Sequence, residues 1–357
     1  MPQITDIPAR IAALDPEQQA CCQRLYEISA AAGRLELPPS MHAWTERQFG
    51  SLGAVREQHM LKVTNCWTLE GALFNPTRAR RPALGHTGDA AIDAWVAAEL
   101  REDIFAQPLR TTPADPFGRI EGRHCITASN IAKYDGWHGV VICREPHPLR
   151  FDAEQIVDYI ATAWRWIEAA HRADPSAIYP LITWNCLPKS GASLAHGHLQ
   201  VALGAGQPYA QVERWRQAAQ RYRHEHGRAY AEDMHQAHAA LGLALPPVAG
   251  CRRLAHLAPA RNREMVMLAP AQGHPAAALA RALAATLLAL RDQRGVRAFN
   301  AALAFPPLRP DGRDWGGLPA FARVGDRGDA LSIRSDLGVM ELYGMAVITA
   351  DPFELVG

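Results

Sequence analysis

The sequence predicts an α+β protein in which an N-terminal helical extension precedes two copies of one unit built from strands and a helix. Three observations predict it. Of 357 residues, 48% are apolar and 20% charged, enough to bury a large core and too apolar for a disordered chain. From Trp67 onward, short β-prone runs bounded by turn residues alternate with long amphipathic stretches. The order of those segments then returns, in degenerate form, roughly 125 residues later.

The elements follow in order. Residues 1–66 read as the helical extension, with Ile11, Leu14, Leu25 and Ile28 as apolar positions and a break at Pro38-Pro39. Residues 67–210 form the first unit. Within it, Arg123 to Thr127 is a strand, Asn130 to Gly136 a polar turn, and His138 to Cys143 a second strand. Residues 153–172 place Ile156, Ile160, Trp164 and Ile167 on one helical face, with Asp152 as N-cap. Ile178 to Trp184 reads as a buried strand, and a polar loop from Asn185 to Ala195 leads to a strand from His196 to Leu203.

Residues 211–249, charged and ending at Pro246-Pro247, read as a helical connector, and 250–357 as the second unit. There, Glu264 to Pro270 followed by Gly273-His274-Pro275 matches Val140 to Cys143 followed by Pro146-His147-Pro148. A helix carrying Leu279, Leu283, Leu287 and Leu290 comes next. Phe299-Asn300 then echoes Trp184-Asn185, and Pro319 to Val324 stands where the first unit has its histidines.

Composition also excludes functions. Lys+Arg 37 against Asp+Glu 36 leaves a net charge of +1, so a general nucleic-acid binder is not expected. No apolar run reaches membrane-spanning length and the N-terminus has no secretory pattern, so neither a membrane partner nor export is expected. The 7 cysteines include no CxxC pair, which fits free thiols in a reducing cytoplasm.

The chemistry concentrates between 185 and 200. Strand alternation puts His196, His198 and Gln200 on one face, with Leu199 and Val201 turned to the core. Before them, Gly191, Ala192 and Ser193 have little bulk, so their backbone N–H groups can approach phosphate oxygens as an anion nest. Lys189 adds a positive charge, and Ser190 or Ser193 a hydroxyl. An imidazole facing such a loop can attack phosphorus and form a covalent nucleotidyl–histidine. The same histidine pair could also hold zinc or simply cap a polar strand.

Gly191-Ala-Ser-x-x-His196-x-His198-x-Gln200 resembles the active-site signature of the histidine-triad superfamily. More narrowly it resembles the branch of ATP adenylyltransferases (diadenosine tetraphosphate phosphorylases) and galactose-1-phosphate uridylyltransferases. That resemblance implies two histidine-triad-like repeats, with antiparallel sheets flanked by helices about an approximate two-fold, only the first keeping the histidines. It implies His198 as nucleophile, Gln200 as donor to a phosphate oxygen of the intermediate, and His196 as a positioning or metal-binding residue. Asn185 would contact phosphate, and Asn130 the ribose hydroxyls. The segment Asn75 to Pro82 is similar to an arginine-bearing segment of these enzymes, which brings Arg78 and Arg81 to the nucleotide phosphates. His138 to Glu145 and the stretch around Glu341 and Gly344 resemble further strands of the branch.

One departure bears on metals. Where uridylyltransferases often carry a cysteine pair, this chain reads Ala83-Leu-Gly-His86-Thr-Gly-Asp89. No resident metal is therefore expected, magnesium entering only with a nucleotide; a zinc site could draw on His86, His124, His138 and His196 alone. Glycine at 197, where relatives commonly have proline or lysine, reads as loosening the strand. The expected activity is nucleotidyl transfer between nucleotides and phosphate-bearing small molecules, by a monomer or homodimer. The wording of the histidine motif favours the ATP adenylyltransferase type. A sugar-1-phosphate uridylyltransferase, a dinucleoside polyphosphate hydrolase and a silent nucleotide binder stay open.

Overall fold

The computed structural model describes residues 2–80, 87–335 and 337–356. Strands β1 (Tyr26–Arg34), β2 (Glu57–Asn65) and β3 (Gly71–Phe74) form a small antiparallel sheet, which the late strand β13 (Met345–Ile348) extends by pairing parallel to β3. The other nine are β4 (Cys125–Ser129), β5 (Trp137–Cys143), β6 (Ala177–Cys186), β7 (His198–Ala205), β8 (Ala244–Val248), β9 (Cys251–Ala255), β10 (Asn262–Leu268), β11 (Phe299–Ala304) and β12 (Phe321–Asp326). They make one antiparallel sheet in the order β4-β5-β7-β6-β11-β12-β10-β9-β8.

That order contains the duplication. Each half runs strand, strand, helix, strand, strand along the chain, and each arranges its four strands in the same spatial order outward from the centre. The halves meet at β6 and β11, where Asn185 pairs with Asn300. The α+β class and the repeat thus stand as read, but the two sheets expected from the resemblance are joined edge to edge into one. Pairing β6 with β11 leaves no unpaired strand edge at the repeat boundary.

Two helices, Ala153–Ala173 and Pro275–Gln293, cover one face and pack against each other. Asp152 caps the first reciprocally with Gln155: each backbone N–H donates to the other's side chain at 2.8 Å. Below it, Val141, Leu199, Val201 and Leu203 are fully buried. Trp166 comes so close to Gly139 that a Cβ there would lie 2.7 Å from its ring, so only glycine fits. The opposite face carries His198 and Gln200 beside a second, smaller apolar cluster that includes Phe105, Val140 and Ile142.

Residues 1–66 differ from the helical reading. Helices span Pro16–Leu25 and Pro39–Phe49, but Tyr26–Arg34 and Glu57–Asn65 are paired strands. Nine consecutive cross-strand pairs override the helical propensity of the Ala-rich run at 30–32. Ile28, assigned to a helix from the sequence, pairs with Val63 in that ladder. The connector is helical over Ala210–His226 and Tyr230–Leu241, while Pro246 and Pro247 fall in β8, an edge strand where their missing N–H costs no ladder bond.

Candidate active site

His198 opens β7 with its ring 8% exposed. Its Nδ1–H donates to the carbonyl of His196 at 2.8 Å, which leaves the lone pair on Nε2. Burial, with His196 nearby, pushes its pKa below the ordinary 6.5, against the bond to the His196 carbonyl. Both effects favour a neutral imidazole with one uncommitted nitrogen. That is the form a nucleophile requires.

His196 is held differently from the sequence reading. It precedes β7, and its ring is engaged at both ends, with Nδ1 2.6 Å from Asp103 Oδ2 and Nε2 2.7 Å from the Cys143 carbonyl. Each ring nitrogen thus has its own oxygen partner, which fixes the plane of the ring. Asp103 Oδ1 also accepts the N–H of Phe105, whose ring meets His196 and His198 edge-on at 5.7 and 5.4 Å. Asp103 therefore fixes His196, and the His196 carbonyl fixes His198. Gly197 is not loose: its N–H donates to Pro146 O at 2.8 Å and its carbonyl accepts from Cys143 N–H at 3.0 Å.

Gln200 follows two residues later on the same face. Its Oε1 accepts the hydroxyl of Tyr134 at 2.9 Å and Nε2–H of His138 at 3.0 Å. Across the sheet, Gln200, Thr183, Ala302 and Arg323 stand in one row over β7, β6, β11 and β12. Beside that row lies a cavity of about 530 Å³, lined by Thr183, Asn185, Asn300, Arg323, Arg214 and Glu341 among others. The cavity reaches β6, the strand next to the nucleophile, and the small sheet closes its far side through Glu70 and Gly71.

The remaining expected residues divide. Asn185 Oδ1 accepts Asn300 Nδ2 at 2.7 Å, and Asn300 also donates to the Ser190 carbonyl at 2.8 Å, so Asn185 and the loop meet at the repeat boundary. The loop itself is a 3₁₀ turn over Pro188–Ser190 with Gly191 at φ +90°. Its amides do not form an open nest. The N–H groups of Lys189, Ser190, Gly191 and Ala192 donate to carbonyls of Ala330, Leu187, Pro188 and Leu187, and the Ser190 hydroxyl to Leu187 O. Lys189 Nζ donates to the Arg334 carbonyl. Gly191 and Ser193 are the exposed residues of the loop.

Asn130 follows β4 beside His138: its N–H donates to the His138 carbonyl at 2.9 Å, and its Nδ2 lies 3.3 Å from His138 Nε2. Arg78 is exposed on the short helix Pro76–Ala79 that follows β3, at the small sheet. Arg81 and His86 lie outside the described residues. His124 faces Glu154 and His138 faces Gln200, so the histidines do not converge; among the described residues no group of three His, Cys, Asp or Glu side chains is placed to hold a metal. Both ring nitrogens of His196 are already engaged.

No periodic or motif signal marks Asp103, which lies 93 residues from His196, or Phe105. Asn300 was legible only as an echo of Asn185. Arg323 lies between Glu70 and Glu264, with Nε 2.6 Å from Glu264 Oε1 and its guanidinium 5.3 Å from the Trp215 ring centre. Burial alone would raise the Glu264 pKa, yet Arg323 holds it at about 2.

No protein-family model matches the chain, and no curated protein matches it. Among solved structures it is similar to an ADP-glucose phosphorylase of Arabidopsis thaliana with bound ADP-glucose, at 16% identity and TM-score 0.62 over 83% of this chain and 97% of that one. A GalT-like protein of the same plant follows, at 16% identity and TM-score 0.56 over 72% and 90%. A uridylyltransferase matches at 17% identity and TM-score 0.54 over 82% and 95%. These likenesses establish the fold: it is the one shared by phosphorylase and uridylyltransferase structures of the branch that the histidine motif resembles.

Proposed function

We infer that a chain with this fold and this histidine site is a nucleotidyltransferase working through a covalent nucleotidyl–His198 intermediate. The observation that carries the reading is His198 itself, buried, with Nδ1 tied to a carbonyl and Nε2 left open. The Nε2 lone pair attacks the α-phosphorus of a nucleotide; the bond from phosphorus to the bridging oxygen breaks and that oxygen leaves with the electron pair. The ring then carries positive charge, which the Nδ1–H bond to the His196 carbonyl stabilises. In the second half-reaction a phosphate oxygen of the acceptor attacks the same phosphorus, the P–N bond breaks, and neutral His198 returns.

Within this class, a nucleoside diphosphate sugar suits the cavity. Arg214, Arg261 and Arg323 face Glu70, Glu264 and Glu341 there, so charge is balanced, and Asn185, Asn300 and Gln211 add amides. Hydroxyls are well served by such a lining, whereas a long polyphosphate would bring several uncompensated negative charges. The likeness to ADP-glucose phosphorylase supports the same choice, and the wording of the histidine motif supports a diadenosine tetraphosphate donor instead. Turnover with inorganic phosphate as acceptor, measured on ADP-glucose, UDP-glucose and diadenosine tetraphosphate in parallel, decides between them. Parallel lines in double-reciprocal plots are expected; intersecting lines would replace the covalent intermediate by direct transfer in a ternary complex, and water as the best acceptor would replace transfer by hydrolysis.

A further inference from the structure

We propose that Tyr134 and His138 are positioning residues that fix the Gln200 side-chain amide so that its NH₂, not its oxygen, faces the transferring phosphoryl group. The inference rests on the function proposed above and concerns how its transition state is held. A terminal amide turns broadly about its last torsion, and its two ends are opposite in character. Facing a phosphoryl oxygen, the NH₂ donates and the carbonyl repels. Something must choose.

The choice is made by two donors on one acceptor. The Tyr134 hydroxyl and His138 Nε2–H reach Gln200 Oε1 at 2.9 and 3.0 Å. His138 Nδ1 faces the N–H of Tyr134 at 3.5 Å, and with Nδ1 as acceptor the hydrogen sits on Nε2, which Asn130 Nδ2 also approaches at 3.3 Å. Turning the amide over would set its NH₂ against the Nε2–H of His138 and force the Tyr134 hydroxyl to turn from donor to acceptor. No acceptor among the described residues takes the Gln200 NH₂, so it is left for a ligand.

Tyr134 is also unusual in its place. It is 57% exposed, on the turn between β4 and β5, with its ring lying over His138 at 3.7 Å between centroids. An aromatic so exposed contributes little to the core. The turn carrying it is tied down: Lys133 Nζ donates to the His138 carbonyl at 2.9 Å and to Ser129 Oγ at 2.7 Å. Tyrosine and histidine thus form a rigid bracket around one amide oxygen.

Rapid-quench measurement of nucleotidyl–His198 formation from ADP-glucose, UDP-glucose and diadenosine tetraphosphate, each tried, tests the proposal. With whichever donor labels the wild type, Tyr134→Phe is expected to slow labelling about 10-fold and His138→Leu more, while donor affinity stays within about twofold. His138→Gln, which restores an N–H donor, should recover part of the loss. In the Gln200→Ala background, Tyr134→Phe should have no further effect, because the amide it positions is gone. Undiminished labelling in Tyr134→Phe, or a Tyr134→Phe effect that persists without Gln200, overturns the positioning role while leaving the function intact. A wild type that no donor labels overturns both.

Discussion

The two repeats have the same strand order and opposite chemistry. At the head of β7 the first repeat presents His198, neutral and with one free nitrogen. On β12, the corresponding strand of the second repeat, Arg323 sits between Glu70 and Glu264 with its charge matched on both sides. One site is built to react and the other is saturated. The comparison teaches that the duplicated sheet is a scaffold, and that reactivity depends on which polar atoms it leaves without a partner. An interior position that must hold charge becomes structural once every donor and acceptor is met.

Breaking each side should have different consequences. The largest effect on activity is expected for His198→Ala, which should abolish labelling and lower turnover by about 10⁴-fold or more with the melting temperature little changed. The largest effect on stability is expected on the other side. Arg323→Ala leaves Glu70 and Glu264 buried without their partner, and urea unfolding should show a loss of about 3–5 kcal/mol. Arg323 also lines the cavity, so donor binding is measured alongside: if Arg323→Ala folds and binds the donor normally but cannot be labelled, the second repeat takes part in the chemistry and the contrast fails.

Between these extremes lies Asp103→Asn, which removes the carboxylate that holds His196. Labelling should slow by about 100-fold through misplacement of the His196 carbonyl, with a smaller change in stability. An unchanged rate would show that Cys143 O alone suffices to hold the ring.

Acid should sharpen the comparison most gently. Burial lowers the His198 pKa, so its labelling rate should fall off at a lower pH than an ordinary histidine would give. In the helical connector, His238 is buried with a pKa of about 3, through burial first and then the neighbouring His256. The unfolded chain therefore takes up this proton near pH 6.5 and the folded chain does not. Its contribution to stability is complete above 6.5 and is lost as pH falls toward 3, by up to about 1.4 kcal/mol per pH unit. Denaturant midpoints between those values should fall less steeply in His238→Gln than in the wild type.

Much of this was legible in the sequence, for physical reasons. The helix over Ala153–Ala173 was clear because Ile156, Ile160 and Ile167 must all reach one buried face. The repeat was visible because strand, helix and asparagine return in order. The β1–β2 hairpin was hidden by an Ala-rich run whose local preference is helical, and only its long-range pairing decides otherwise. At the site, His198 and Gln200 stood out because polar groups alternate with buried Leu199 and Val201. Asp103, Phe105 and Tyr134 did not, since each reaches the motif from a distant loop and carries no periodic signal. The loop at 188–193 reads as an open cradle from its small residues, yet those residues equally suit a tight turn that closes its own amides.

Intact-mass spectrometry, with peptide mapping, on wild type and His198→Ala after separate incubation with ADP-glucose, UDP-glucose and diadenosine tetraphosphate tests the central claim most directly. The expected result is one added nucleotidyl mass on wild type, located on the peptide that contains His198, removed by inorganic phosphate, and absent from His198→Ala. Labelling that persists in His198→Ala, or a wild type that gains no mass with any donor while turning one over, would contradict it.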